Sequence, residues 1–243
     1  MLRIDLNKFF VGLTLLVLIA GCSDRQEINR GSTGSDQSIA GGTVIPKLAT
    51  IELSDENSIT YEEGITIEIV QPSFVRYIVV EQLANKQFSS SAIGQTLAVT
   101  GEIELDRRGL PDQTNSLVIV DLTTLTSDKK KRDNYLKTRA NIGSERYPTA
   151  TLVVSDINGL SWPLPKTADV SFQLSGDLTL LGITKQLTWD VVARIADGLV
   201  VGQASTTFTF DTFGIKKPNL LFIVSIEDQI ELVIDFSASI KET

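Results

Sequence analysis

Between Val170 and Ile195 apolar and polar residues alternate with a period of two. Val170, Phe172, Leu174, Leu178 and Leu180 alternate with Ser171, Gln173, Ser175, Asp177 and Thr179. Past a turn at Gly182-Ile183-Thr184, Leu187, Trp189, Val191, Ala193 and Ile195 continue the apolar row. This period predicts an antiparallel hairpin with one dry and one wet face. The pattern recurs along the chain. Thr66 to Val70 predicts a short first strand ended by Pro72, which has no N–H for a ladder. Val75, Tyr77 and Val79 form one row, and Leu97, Val99, Gly101, Ile103 and Leu105 another. Leu117 to Leu122 is nearly all apolar and predicts a strand covered on both faces. Thr151 to Ile157 follows. Val200, Gly202, Ala204, Thr206, Phe208 and Phe210 make a further dry row, and Ile230, Leu232, Ile234, Phe236, Ala238 and Ile240 the last.

Helix is scarce. Ser127 is placed to cap one short helix from Asp128 to Thr138, with Tyr135 and Leu136 to dock it. Eight or nine antiparallel strands with one apolar face each must close on themselves or stack in two layers. A closed barrel of about eight strands is wide enough to hold a small ligand where side chains do not fill it. Gly202 and Ala204 leave room in their row for an occupant or for a neighbouring ring.

The first residues read as an address. Arg3 and Lys8 precede the apolar run Phe9 to Ile19, which ends in Ala20-Gly21-Cys22. A positive start, a short apolar stretch and small residues before the cut describe a secretory signal. Leu18-Ile19-Ala20-Gly21-Cys22 is similar to the lipobox of bacterial lipoproteins, with the chain's sole cysteine at the acylated position. Residues 1–21 are expected to be a lipoprotein signal peptide, and 22–57 a lipidated Cys22 followed by a Gly- and Ser-rich flexible tether. Residues 58–243 are expected to be the β domain. The expected location is extracytoplasmic, anchored by lipid to the cell membrane or outer membrane.

Charge and composition narrow the chemistry. A formal net charge of −8 argues against a nucleic-acid partner, whose phosphates need clustered cations. The one basic run, Lys129 to Arg132, reads as a solvated helix face. With no histidine and one cysteine, the chain can build neither a Ser-His-Asp or Cys-His centre nor a His-ligated metal site nor an internal disulfide. No catalytic residue, metal ligand or cofactor is assigned. Asp177 and Asp190 fall on the wet face by parity, and Asp211 lacks an evident partner. Trp162, between Ser161 and Pro163, either packs within its own loop or dips into a membrane interface.

Three stretches together resemble the YceI-like family of periplasmic and secreted polyisoprenoid-binding proteins. The first runs through Asp121 to Asp128, Arg132-Asp133-Asn134-Tyr135-Leu136 and Arg146-Tyr147-Pro148-Thr149-Ala150. The second is Gly176-Asp177-Leu178-Thr179-Leu180-Leu181-Gly182-Ile183-Thr184-Lys185. The third is Phe208 to Ile215 with Glu227 to Leu232. The resemblance covers roughly Thr66 to Ser239 and implies an extended, lipocalin-like antiparallel β-barrel with one short helix. It also implies an apolar pocket for an isoprenoid or other long-chain amphiphile. The chain departs from the family pattern at Leu181, where histidine is common, and near Asp211, where arginine is common.

By parity, the expected lipid-lining residues are Phe172, Leu174, Leu178, Leu180, Trp189, Val191, Phe208, Phe210 and Phe213. Arg132 and Asp133 are expected either to fix the helix by a salt bridge or to meet a polar headgroup. The leading functional expectation is a membrane-tethered carrier or buffer of such a lipid. The alternative is a ligand-free structural or stress-response barrel of the envelope.

Overall fold

The computed structural model describes residues 61–137, 143–219, 221 and 223–243. The expected signal peptide, Cys22 and the tether lie outside the described residues. Ten strands form one antiparallel sheet: β1 (Gly64–Leu83), β2 (Ser90–Thr96), β3 (Val99–Asp106), β4 (Leu117–Asp121), β5 (Thr126–Ser127), β6 (Thr149–Asn158), β7 (Thr167–Leu180), β8 (Ile183–Ala196), β9 (Leu199–Thr209) and β10 (Ile223–Glu242). Among the described residues one α-helix, α1 (Lys130–Lys137), lies between β5 and β6. Single 3-10 turns follow β4 and β9, at Leu122–Thr124 and Phe210–Phe213.

The sheet closes. The order β10-β9-β8-β7-β6-β4-β3-β1 is completed by pairing of β1 with β10, giving an eight-stranded barrel. Strand β2 carries the line of β3 along the second half of β1, and β5 extends β2. Closure removes the free edges that an open sheet of such strands would expose.

The tightest connections use left-handed backbone. β7 and β8 are joined by Leu181 and Gly182 alone, at φ of 57° and 77°, so Leu180 pairs with Ile183. The turn therefore sits one residue earlier than Gly182-Ile183-Thr184. Asp197-Gly198 makes the same two-residue turn between β8 and β9, at 51° and 78°. Positive φ at both central positions matches the natural twist of a hairpin.

Pro72 does not end a strand. β1 runs through it as a bulge, with register shifting between Val70 and Phe74 against β10. Polar side chains fill the broken ladder. The fully buried Ser73 donates its hydroxyl to the Val70 carbonyl at 2.6 Å and accepts the Ser237 N–H at 2.9 Å. Gln71 donates to the carbonyls of Leu97 and Val99. A proline is tolerated inside a long strand where a bulge removes the need for its N–H.

Alternation is kept along β7 to β9, with departures elsewhere. Leu97 is 62% exposed, because it lies in the break between β2 and β3 rather than in the dry row. On β4, Val118 and Val120 face the interior, while Leu117 and Ile119 are only half-buried on the outside. Gly202 leaves no vacant room. A Cβ there would stand 2.6 Å from Ala193 Cβ, so the missing side chain lets β8 approach β9.

The interior divides along the barrel axis. At one end, Tyr61, Ile65, Leu105, Leu164, Ile195 and Val200 pack into a plug. The β6–β7 loop supplies Leu164 and Trp162. Trp162 Nε1–H donates to the Arg107 carbonyl at 2.8 Å, and its ring tilts against Tyr61. Trp162 thus packs within the closed end. At the other end lie α1, the β1–β2 loop, the β7–β8 turn and the β9–β10 connection.

Candidate functional site

Beneath α1 the barrel encloses a cavity of about 1020 Å³. Its walls are the inward residues of nearly every barrel strand: Val75 and Tyr77 on β1, Val118 and Val120 on β4, Ala150 and Leu152 on β6, and Ile230 and Ile234 on β10. Leu178, Leu180, Trp189, Phe208 and Phe210 complete them, so these five of the sequence-predicted residues meet around one space. The other four lie apart from it. Leu174 and Val191 are buried, and Phe172 half-buried, toward the plug; in register, Leu174 faces Trp189 and Phe172 faces Val191. Phe213 is buried behind the wall, its ring edge-on to Phe208 at 4.9 Å. Parity sets these side chains inward, and depth along the strand decides which of them touch vacant volume.

The cavity owes its size to small residues at wall positions. Ala92 and Ala150 are buried and bound it, where larger side chains would fill it. Gly94 has a related part. A Cβ there would lie 2.2 Å from the Tyr77 ring, so only glycine lets that ring lie flat against β2. The sequence reading passed over this β1–β2–β6 side, although Ala92 and Ala150 stand on strands with legible parity.

Charge gathers at the mouth. Arg132 donates to Glu81 on β1 at 2.8 Å and to Asp128 at 2.6 Å. The Glu81 side chain is only 9% exposed and that of Arg132 19%, so this pair ties helix to barrel from within a largely dry setting. Asp133 has a different task. Its Oδ1 accepts the Ser127 N–H at 2.9 Å and the Ser127 hydroxyl at 2.6 Å, locking the start of α1 to β5. Ser127 Oγ in turn accepts the Lys129 N–H. Arg132 borders the cavity, whereas Asp133 is outside its lining.

Two polar atoms of lining residues have no hydrogen-bond partner among the described residues: the Tyr77 hydroxyl and Trp189 Nε1. Burial pushes the Tyr77 phenol up to about 12; nearby Arg132 opposes that shift, and Asp133, Glu81 and Asp128 add to it. Burial penalises the phenolate in the folded chain only. The resulting stabilisation is whole below pH 10 and lost as pH rises through about 12. Tyr77→Phe, which removes a hydroxyl without a hydrogen-bond partner among the described residues, is expected to leave neutral-pH stability within about 1 kcal/mol. It is also expected to flatten the alkaline loss of urea midpoint between pH 10 and about 12. An unchanged alkaline profile would show that another group governs it.

The arrangement is suited to holding something apolar. Asp177, Asp190 and Asp211 are all exposed, away from the cavity. The interior offers continuous hydrocarbon and aromatic surface, and ionised groups enter the lining only near α1 and the β9–β10 connection.

A YceI-like domain model matches residues 73–238. Solved structures with the same fold include a polyisoprenoid binding domain from Saccharophagus degradans implicated in plant cell wall breakdown. It is 12% identical, with a TM-score of 0.53, over 73% of this chain and 99% of that one. Burkholderia cenocepacia BcnA is 13% identical with a TM-score of 0.50, over 69% and 96%. A mutant of the Campylobacter jejuni YceI protein is 17% identical with a TM-score of 0.51, over 66% and 91%. No curated protein matches the chain in sequence.

Proposed function

We propose that this chain, which belongs to the YceI-like family, is a membrane-tethered binding protein that holds a polyisoprenoid or other long-chain amphiphile inside its barrel. The apolar cavity of about 1020 Å³ carries this reading. It stands at the upper end of the range for small-molecule sites, roughly 300–1,000 Å³. With water's share of liquid volume of about 30 Å³ as a guide, it has room for on the order of 30 non-hydrogen atoms. Burying a methylene is worth about 0.8 kcal/mol, so ten chain carbons give about 8 kcal/mol before ordering costs. Such binding needs no catalytic group, and the protein acts without chemistry on its cargo. The Saccharophagus degradans neighbour, described as a polyisoprenoid binding domain, supports the choice of cargo.

Acylation at Cys22 places the protein at the cell envelope, outside the cytoplasm, where it carries or buffers lipid beside a membrane. The test uses the native host. Membranes are separated from soluble fractions, and the purified protein is extracted with organic solvent for mass spectrometry. The expected result is protein that stays with membranes through a high-salt wash, is released in that wash by Cys22→Ser, and carries a stoichiometric long-chain compound. Dry extracts from repeated native preparations would reject the carrier, and Cys22→Ser that survives the high-salt wash on membranes would reject the anchor.

A further inference from the structure

We infer that the rim of the cavity is a docking surface for a bilayer with anionic headgroups, so that cargo passes between membrane and barrel without crossing water. The inference rests on the lipid-binding reading above and adds where the lipid enters. Three segments border the mouth: residues 84–89, 127–137 and the described part of 214–224 (214–219, 221, 223 and 224). Together they hold eight lysines and arginines against two aspartates, on a chain whose net charge is −8. At the adjoining strand ends and loops, Glu81 is engaged by Arg132 and Asp228 by Lys217, while Asp121, Glu145, Asp211 and Glu227 make no ion pair with a described residue, so cations still outnumber carboxylates at this end. Lys130, Lys131 and Lys216 border the cavity and make no ion pair with any described residue. Lys130 and Lys131 occupy the first turn of α1, where the helix dipole disfavours cations, so helix stability does not account for them.

The same rim exposes large apolar side chains. Phe88 is 76% exposed, Val224 65%, and Leu221 wholly so. Exposed aromatic and aliphatic residues interleaved with lysines form the pattern that seats a protein in an anionic membrane interface. The closed end has the opposite balance: Glu62, Glu63, Asp112, Asp197 and Glu242 outnumber Arg107, Arg108 and Lys166. The described chain starts at that closed end, at Tyr61. The preceding residues back to Cys22 would span roughly 130 Å if fully extended, so an anchor there leaves the mouth free to face the bilayer.

The test is amide hydrogen exchange on the full chain mixed with vesicles of phosphatidylcholine alone or with added phosphatidylglycerol. Because the N-terminal anchor binds both kinds, a difference between them reports the rim. Phosphatidylglycerol is expected to slow exchange in 84–89, 127–137 and 214–224, and not in the β6–β7 loop, and added salt is expected to reverse the effect. Each lysine near an anionic surface is worth about fivefold in binding. Lys130→Gln with Lys131→Gln and Lys216→Gln should therefore weaken the protection at least tenfold, as should Phe88→Ser with Leu221→Ser. Equal protection on both vesicles, protection at the closed end, or retained protection in both variants overturns the docking surface. Cargo is extracted from the same samples. Bound lipid with an unprotected rim defeats the docking surface alone, while a protected rim over a dry cavity defeats the cargo reading alone.

Discussion

Ala150→Trp is expected to lower affinity for a long-chain amphiphile at least a hundredfold while the barrel keeps its stability. Ala150 is buried on β6, pairs with Val120 on β4, and both side chains border the cavity. In a packed core an added ring forces side chains off their rotamers, at about 1–3 kcal/mol. Here the indole enters vacant space and gains contacts. What it loses is volume for cargo: displacing about six methylenes forfeits about 5 kcal/mol of burial. A hundredfold loss, about 2.8 kcal/mol, needs only part of that. The measurement pairs the extracted lipid per protein with the urea midpoint. Val192→Trp, on the outer face of β8 at a 56% exposed position, is the control and should retain cargo. A variant at Ala150 that keeps full cargo would place the binding site elsewhere, whereas one that loses stability by several kcal/mol would mean that the space is not available to a side chain.

The outline of this barrel was legible because a period of two sorts each residue inward or outward, and the β7–β8 hairpin carries that pattern with little interruption. Where the reading failed, a single residue acted against its usual habit. Leu181 adopts a left-handed conformation that leucine seldom takes, which moved the expected turn one residue along. Pro72 sits within β1 because Ser73 and Gln71 satisfy the groups around it, and those partners on β10 and near β3 are far away in sequence. Val233 breaks the alternation on β10, buried on the outer side opposite Arg76.

The site was legible in chemistry and not in depth. Parity placed Phe172 and Leu174 in one row with Leu178, and Val191 in one row with Trp189, yet of these only Leu178 and Trp189 face open volume; Phe213 stands on a 3-10 turn, where a period of two does not apply. The level at which the interior is plugged is set by Leu164 and its neighbours from a loop without periodicity, so no row of alternating residues reports it. The Arg132-Asp133 pair could be picked out, but the partner that matters, Glu81, is 51 residues away on another element.

That partner makes Arg132→Ala the most damaging change at the mouth. α1 has only eight residues and none is fully buried, so it is too short to persist on its own and depends on its ties. Removing the guanidinium strands the Glu81 carboxylate, 9% exposed beside an apolar cavity, with no cation in its place. Breaking a fully buried pair in this way costs about 3–5 kcal/mol. With Arg132 partly open to solvent, about 2 kcal/mol is expected from urea unfolding, together with faster amide exchange in α1 and faster cargo release. Asp128→Ala removes the other carboxylate, but that side chain is 65% exposed, and the change should stay within about 0.5 kcal/mol. The decisive comparison is the double variant. Arg132→Met with Glu81→Leu removes both charges and keeps the volume, so it should recover most of the lost stability, because an apolar pair replaces an ion pair at little cost where the surroundings are dry. If the double variant falls as far as the single one, the loss comes from the missing arginine's packing over the cavity and not from an abandoned carboxylate. If cargo release stays fast although stability returns, the ion pair holds the lid shut as well as holding the fold together.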